Sequence, residues 1–314
     1  MGKRTSPEER RATRAALGRL ADARVNCRTR NRYQRACQQF VEFLCAMQLS
    51  LPVTWDDMDL CLQDYLEHLW SVGASTGQAN DTLSGVQHFL RSRRQYPGAW
   101  RLLSVWSRLE VPTRAPPMPA RVAAAMAGWA LERNDLALAA CILAGFHLCL
   151  RTGEILGLNL ALVQVGPQGR GVVSLPWTKT AAQKGARETV TVDDPYIGAW
   201  LHRALLLDPA GKLWSGTLPS FHAAFKRAAA GVGLRHARLT PYSLRRGGAT
   251  HEYLASKNLE RVMLRGRWSS IRTAKIYIED GAAILAEMKF SRVTQKSLDH
   301  YVSSFVARSR VEFG

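Results

Sequence analysis

A proline-rich interval constrains the fold of this chain more than any other feature. Residues 112–119 read PTRAPPMP, with four prolines in eight positions. Proline lacks a backbone N–H and clashes with the preceding helical turn, so this interval cannot continue a helix and favours an extended spacer. The 314 residues are enough for two domains of ordinary size. We therefore predict one domain at 1–111, a linker at 112–119 and a second domain at 120–314.

Helical periodicity dominates the first predicted domain. Apolar residues recur at three- and four-residue spacing over 33–45, which is typical of an amphipathic helix. Thr54 precedes two acids and is a suitable N-cap for a helix that ends at Gly73, and the next helix begins at Ser75 or Thr76. The pattern predicts four or five helices, at about 33–45, 54–73, 75–94 and 100–109.

The second predicted domain combines helices with a small sheet. Two helices are expected at about 120–132 and 135–149. Two strands are expected at 172–177 and 188–192, on either side of a polar turn that contains lysine and glycine. From Pro195 onward the pattern is helical again. The predicted fold class is mainly α with a small antiparallel β-sheet.

Positive charge indicates a polyanionic partner. The net charge is +18, and residues 1–35 hold eleven Lys or Arg against three acids. Such an excess opposes compactness unless a polyanion binds, and double-stranded DNA is the leading interpretation. A membrane surface is a weaker one, since no run of 18 apolar residues occurs, and we predict no membrane association. The basic segment is either a solvated arm or an arm that lies along phosphates.

The cysteines indicate a reducing compartment. Six are present and none forms a CxxC pair. Cys141 and Cys149 lie on an apolar helical stretch, where small buried hydrophobic residues are expected. We expect an intracellular protein, in the cytoplasm, nucleoid or nucleus, with neither a metal nor a cofactor.

Three motifs together suggest phosphodiester chemistry. They are Arg151-Thr-Gly-Glu154, Tyr242-Ser-Leu-Arg245-Arg246, and the run 264–277 that ends at Tyr277. Cleaving a phosphodiester requires a nucleophile, a proton for the leaving oxygen and positive charge around the transition state. No metal-binding motif is present to supply that charge, and arginine can hold two phosphate oxygens instead. Taken singly, such arginines and tyrosines are more often surface or core residues.

In order and spacing, these motifs resemble the tyrosine recombinase (phage integrase) family over residues of about 120–290. The family's first box pairs an arginine with an acid three residues later, as Arg151 and Glu154 do. Its second box is His-x-x-Arg, and here Tyr242 takes the place of the histidine. Its third box places the nucleophilic tyrosine nine residues after a His or Trp, as Tyr277 follows Trp268. The resemblance also implies a core-binding domain for the helical part at 1–111.

The resemblance implies a role for each residue. Tyr277 attacks the scissile phosphate, Arg151 and Arg245 hold its non-bridging oxygens, and a lysine protonates the leaving 5′ oxygen. That lysine is Lys179 or, alternatively, Lys184. Trp268 and Tyr242 donate hydrogen bonds to phosphate, and Glu154 orients an arginine or the segment of the second box. Contact with neighbouring phosphates is assigned to Arg246, Arg265, Arg267, Arg272 and Lys275.

The function implied is site-specific DNA recombination or integration for a mobile element, through a 3′-phosphotyrosyl intermediate and without metal or ATP. The protein is expected to act as a homotetramer on DNA. Two alternatives stay open: a DNA-binding protein that has lost catalysis on the same fold, and a type IB topoisomerase-like relaxing enzyme.

An apolar stripe near the C-terminus has two interpretations. Its residues recur at helical spacing: Leu298, Tyr301, Val302, Phe305 and Val306. The stripe either packs on its own domain or, as the resemblance suggests, is donated to a neighbouring subunit.

Overall fold

The computed structural model describes residues 6–17, 24–91, 96–110, 114–166, 168–175, 188–278 and 289–313. The chain divides into two compact units, Met1–Thr113 and Arg114–Gly314. The predicted assignment of 112–119 as a linker between domains stays a prediction. Residues 117–119 of this interval are buried in the second unit, where Met118 N donates to Ser243 O at 3.1 Å.

Helices make up the described part of the first unit. They are α1 (Pro7–Leu17), α2 (Cys27–Ala46), α3 (Trp55–Ser71), α4 (Thr76–Phe89) and α5 (Pro97–Leu109). Their apolar faces meet in one core, which includes Phe40, Leu62, Leu66, Leu83 and Leu103. Burial of such side chains is the main favourable contribution to folding a bundle of this kind.

The helices α3 and α4 begin at the predicted N-cap residues, whose side chains accept hydrogen bonds from nearby backbone N–H groups. The Thr54 hydroxyl accepts from Asp57 N, and the Asp57 carboxylate accepts from Thr54 N, which completes a capping box. Ser75 caps α4 through Gln78 N. Both bonds satisfy N–H groups that the helix leaves free at its N-terminus.

The start of α5 differs from the prediction, because the helix begins at Pro97 and not at Trp100. Proline is suited to the first helical position, and the cap comes from a distant residue. The carboxylate of Asp59, on α3, accepts from Gly98 N at 2.8 Å and from Ala99 N at 2.9 Å. A cap supplied by another helix leaves no local pattern in the sequence.

The second unit places helices around a small sheet. The helices are α6 (Ala120–Glu132), α7 (Leu136–His147), α8 (Thr152–Leu156), α9 (Pro195–Leu207), α10 (Leu218–Gly231), α11 (Pro241–Ser256), α12 (Leu259–Gly266), α13 (Ile271–Lys275) and α14 (Arg292–Phe313). The strands are β1 (Val163–Val165), β2 (Gly171–Ser174) and β3 (Thr189–Val192), in the order β1-β2-β3 and antiparallel. The predicted fold class is confirmed, although β1 was not predicted.

The central element of this unit is α7. All its residues from Leu138 to Phe146 are buried, against α6, α9 and α11. A helix that is apolar on every side belongs in a core or in a membrane. Among the residues that the structure describes, no helix has the length and apolar character needed to cross a bilayer.

The C-terminal helix α14 packs on its own unit, mainly on α6. A Cβ on Gly128 of α6 would lie 2.1 Å from Tyr301 O, so the two helices meet backbone to backbone. Trp200 Nε1 also donates to Ser309 Oγ at 2.8 Å, and Arg121 pairs with Asp299 at 2.5 Å. The apolar stripe thus packs on its own unit, as the first interpretation predicts, and donation to a neighbouring subunit stays a prediction.

Candidate active site

The first motif forms a tight turn after α7. Cys149 has a left-handed backbone with φ of 47°, and Arg151 then caps the short helix α8. Arg151 N donates to Glu154 Oε2 at 2.8 Å, and its guanidinium donates to Glu154 Oε1 at 2.5 Å. The Glu154 side chain is buried and that of Arg151 is partly exposed. The turn therefore presents one cation toward solvent and holds its carboxylate inside.

The second motif is fixed by close contact between α11 and its neighbours. A Cβ on Gly247 would lie 2.1 Å from Met118 O, and one on Gly248 would lie 1.9 Å from Phe146 O. Glycine is required there because the backbones touch. Arg245, just before them, is 0% exposed and donates to Cys149 O at 2.5 Å and to Gly266 O at 2.7 Å. It thereby joins the ends of α7 and α12.

The third motif positions Trp268 and Tyr277. Arg267 ends α12 with φ of 59°, and Trp268 folds back so that a Cβ on Gly266 would lie 1.8 Å from its ring. The rings of Trp268 and Tyr277 have centroids 4.4 Å apart. Thr250 Oγ1 donates to Tyr277 O at 3.2 Å, which ties the tyrosine backbone to α11.

The guanidinium of Arg245 lies beside both aromatic rings. Its Cζ is 4.8 Å from the Trp268 ring centroid and 5.4 Å from that of Tyr277, within range of cation–π attraction. Burial lowers the pKa of Arg245, and the cation of Arg151 lowers it further, although an arginine so affected is still charged at neutral pH. Among the described residues, Arg245 Nε and Trp268 Nε1 are buried and make no hydrogen bond of ordinary geometry. Both side chains nevertheless lie close enough to the Tyr277 hydroxyl to lower its pKa.

The hydroxyl of Tyr242 donates to the hydroxyl of Tyr277 at 2.7 Å. Burial raises the pKa of Tyr242 to about 12, together with its bond to Tyr277. Burial also opposes ionisation of Tyr277, but the bond from Tyr242 and the charge of Arg245 outweigh it, so the pKa of Tyr277 is lowered. Of the two phenols, Tyr277 is the one that ionises first.

Glu154 is surrounded by arginines. In addition to Arg151, Arg267 Nη2 donates to Glu154 Oε2 at 2.6 Å, and Arg245 Nη1 lies 4.0 Å from the same oxygen. Burial lowers the pKa of Arg267 to about 10, and the charge of Glu154 acts in the opposite direction. Glu154 thus holds the guanidinium groups of Arg151 and Arg267 in place, and its role in catalysis stays a prediction.

Two arginines predicted to meet DNA phosphates lie inside the protein instead. Arg246 is buried and donates to Ala115 O at 2.7 Å and to Ile276 O at 3.1 Å. The side chain of Arg267 is also buried, on Glu154. Both hold backbone or carboxylate in place, and their contact with DNA phosphates stays a prediction. The sequence analysis did not predict that Arg267 pairs with Glu154, because neither the glycine before Arg267 nor the tryptophan after it indicates such a pair.

The other three predicted DNA contacts differ in accessibility. Arg265 pairs with Asp193 at 2.5 Å and approaches Glu252 at 3.7 Å, so its charge is compensated. Arg272 and Lys275 are exposed on α13, beside Tyr277. Lys179 and Lys184, the alternative general acids, lie outside the described residues. Within the described ranges, no group of three His, Cys, Asp or Glu side chains is placed to hold a metal ion.

Comparison with solved structures identifies the fold. The Tn1549 transposon integrase in complex with circular intermediate DNA superposes with a TM-score of 0.61 at 16% identity, over 85% of this chain and 94% of that one. This chain has the tyrosine recombinase fold. XerH recombinase bound to difH gives 0.55 at 15% identity, over 82% and 79%, and a lambda integrase dimer bound to a core site gives 0.52 at 14%, over 83% and 74%. No family model matches the sequence, and no curated protein matches it.

The tyrosine recombinase fold accounts for the arrangement of the three motifs. They are separated by up to 126 positions, from Arg151 to Tyr277, and the fold brings them to one cluster through the ends of α7, α11 and α12. At 14–16% identity the likeness is one of architecture, so the chemistry has to be argued from the side chains of this chain.

Proposed function

We propose that this protein cleaves and rejoins double-stranded DNA through Tyr277, as a site-specific recombinase or integrase. The observation that carries the proposal is the cluster of Tyr277, Arg245 and Trp268. The phenol lies against a buried guanidinium, 5.4 Å from Cζ to ring centroid, and beside an indole 4.4 Å away. A nucleophile and fixed donors at one place are what phosphoryl transfer needs.

The proposed reaction balances without a cofactor. Tyr277 gives its hydroxyl proton to solvent, and its Oη forms a bond to phosphorus while the bond from phosphorus to the 5′ oxygen breaks. The 5′ oxygen takes a proton from Lys179 or Lys184. The phosphotyrosine keeps the energy of the broken ester. Attack by a 5′ hydroxyl of another strand then reverses the step and releases Tyr277.

Positive charge would stabilise the transition state. Arg151, which is partly exposed, is free to meet a non-bridging oxygen with one face of its guanidinium while Glu154 holds the other. The side chains of Arg245 and Trp268 favour the ionised form of Tyr277 through their N–H groups. In the proposed complex, these N–H groups also donate to a phosphate oxygen.

Charge and structural likeness support duplex DNA as the substrate. The net charge is +18, and lysines and arginines bind the phosphate backbone largely by releasing counterions. The compared Tn1549, XerH and lambda structures contain DNA. A homotetramer follows from the requirement that strand exchange needs four coordinated cuts. Action inside the cell, on the DNA of a mobile element, completes the proposal.

A covalent-adduct selection tests this function without a known target. A nicked duplex library carries a randomised sequence upstream of the nick, so that cleavage close to the nick releases a short fragment and traps the adduct. Denaturing washes remove DNA that is held without a covalent bond. We expect the wild-type protein to retain DNA and its tryptic peptide 276–289 to carry a nucleotide. Sequencing the retained strands then gives the target.

Matched variants decide the assignment. Tyr277→Phe should bind duplex DNA but retain none after denaturation. Tyr253→Phe removes a phenol oxygen from a residue that packs on the same cluster, and it should retain DNA like the wild type. Adducts in Tyr277→Phe would assign the nucleophile elsewhere, with Tyr242 tested next. Duplex binding by the wild type without any adduct would favour the non-catalytic alternative.

A further inference from the structure

The second motif carries a tyrosine where a base would be expected, and that tyrosine contacts the proposed nucleophile. Tyr242 lies in the first turn of α11, immediately after Pro241. Tyr277 lies 35 positions later, beyond α13, and the two hydroxyl oxygens are 2.7 Å apart. Their ring centroids are 5.9 Å apart at 53°, so the rings are tilted and meet through their hydroxyls.

Each partner of the pair is held independently. The turn that carries Tyr242 is fixed by the Thr240 capping box and by Arg245, which bonds two carbonyls. The Tyr277 backbone is held through Thr250 Oγ1, and the preceding carbonyl of Ile276 is held by Arg246. With both backbones fixed, the phenol–phenol bond sets the position of the Tyr277 oxygen.

We propose that Tyr242 is a positioning residue, which donates its hydroxyl hydrogen to Tyr277 and so holds the nucleophile and favours its phenolate form. This inference rests on the proposed function, since it concerns the same site. A phenol is a poor proton acceptor at neutral pH. As a donor it is effective, because an O–H···O⁻ bond to an anion is stronger than one to a neutral hydroxyl.

The proton balance is simple. Tyr277 loses its hydroxyl proton to solvent, while the Tyr242 proton stays on Tyr242 and bridges the two oxygens. When Tyr277 Oη then bonds to phosphorus, its negative charge is lost, and the Tyr242 hydroxyl keeps its proton and can donate its hydrogen bond to a non-bridging oxygen. One donor would thus serve the nucleophile before attack and the phosphate after it.

The cations around the pair favour an ionised phenol, and burial opposes ionisation of both phenols. Arg245 and Arg246 face it from α11, and Arg245 also lies over the Tyr277 ring. Trp268 lies beside Tyr277 from the segment that follows α12. The lowered pKa of Tyr277 and the raised pKa of Tyr242, about 12, are consistent with one shared proton.

Titration of the phenols tests the inference in the absence of DNA. Protein labelled with ¹³Cζ-tyrosine is titrated by NMR, with signals assigned through Tyr277→Phe and Tyr242→Phe. In the wild type we expect Tyr277 to ionise first and the Tyr242 signal to respond during that step. In Tyr242→Phe the pKa of Tyr277 should rise, whereas Tyr253→Phe, a change in the same cluster, should leave it unaltered.

Cleavage kinetics give a second readout. On the selected nicked duplex, adduct formation by Tyr242→Phe should be roughly tenfold slower at pH 7 and should recover as pH rises, with DNA affinity unchanged. A purely structural role would lower the rate equally at every pH.

Three results would overturn the inference. One is independent titration of the two phenols in the wild type, a measurement that does not depend on any variant folding. The others are an unaltered pKa of Tyr277 in Tyr242→Phe and an equal rise in Tyr253→Phe. Linked titration in a protein that forms no adduct would contradict the proposed function, and with it the positioning of a nucleophile by Tyr242, while it would confirm the bond between the two phenols.

Discussion

At the scale of single residues, Glu154 is the centre of the candidate site. Its side chain is 2% exposed and accepts from Arg151 and Arg267, with Arg245 at 4.0 Å. Removing one member of a buried ionic group leaves the others uncompensated, which costs far more than loss of an exposed pair. The arrangement holds three cations together and leaves a net positive charge for phosphate.

Glu154→Gln should therefore destabilise the second unit. We expect a loss of about 3–5 kcal/mol in the free energy of unfolding, because three guanidinium groups would lose their shared counter-charge. Denaturant unfolding measures it. Glu260→Gln removes an exposed carboxylate from the first turn of α12 and should cost less than about 1 kcal/mol. Equal losses in the two variants would show that Glu154 has no special role.

The source of the leaving-group proton is also a question about single residues, because Lys179 and Lys184 are the two candidates for the general acid. Replacing the 5′ bridging oxygen with sulfur gives a leaving group that needs no proton. The alanine variant of the true general acid should lose about 100-fold in the cleavage rate of normal DNA, within the range for general acid catalysis, and regain it on the sulfur substrate. The other variant should behave like the wild type on both. Loss without rescue in both variants would exclude these lysines as the acid.

At the scale of elements, the close approach of α11 to α7 and to the segment that precedes α6 positions Arg245. It depends on Gly247 and Gly248, whose Cβ positions fall on backbone atoms of Met118 and Phe146. Backbone atoms cannot move aside as a flexible side chain can, so a methyl group there must separate the helices. Arg245 would then lose its fit to the carbonyl groups of Cys149 and Gly266.

Gly248→Ala should lower both stability and cleavage. We expect at least about 1–3 kcal/mol of destabilisation from overpacking, measured by thermal unfolding, and a loss of adduct formation at temperatures where the variant is folded. Gly153→Ala is the stability control, because that glycine is helical and nothing lies within 4 Å of its Cβ position. It should be neutral or slightly stabilising. A neutral Gly248→Ala would mean that the helices do not meet as described.

Elements with local signals could be predicted from the sequence. Thr54 and Ser75 cap helices through residues three positions away, and the nine-residue spacing from Trp268 to Tyr277 lies within one segment. The rest depends on distant partners. The start of α5 needs Asp59, and the inward turn of Arg246 needs the carbonyl groups of Ala115 and Ile276. The strand β1, three residues long, is too short to show alternation.

At the scale of the whole molecule, charge is distributed unevenly along the chain. Residues 1–35 carry eleven of the 43 Lys and Arg residues, and within them α1 exposes Arg11 and Arg14. Each phosphate that a protein neutralises contributes about 0.9 to the slope of log affinity against log salt concentration. That slope distinguishes an arm that binds phosphates from one that is only solvated.

We expect the double variant Arg11→Gln, Arg14→Gln to reduce the slope by up to about 1.8. Lys296→Gln with Arg310→Gln removes the same charge from exposed positions on α14 and should leave the slope unchanged. Binding to a duplex of mixed sequence at several salt concentrations measures both. Equal slopes in the two double variants would show that the N-terminal arm is solvated and does not bind DNA phosphates.

The hydrogen bonds of Arg246 couple the position of the chain's entry into the second unit to the position of the segment that carries Tyr277. A single guanidinium donates to Ala115 O, where the chain enters the second unit, and to Ile276 O, in the peptide next to the proposed nucleophile. The same side chain therefore holds two segments that lie 161 positions apart in the sequence, from 115 to 276. A displacement of the backbone at residue 115 is therefore transmitted to the segment that carries Tyr277 through these two hydrogen bonds. Loss of either bond would make the position of Ile276 independent of that of Ala115.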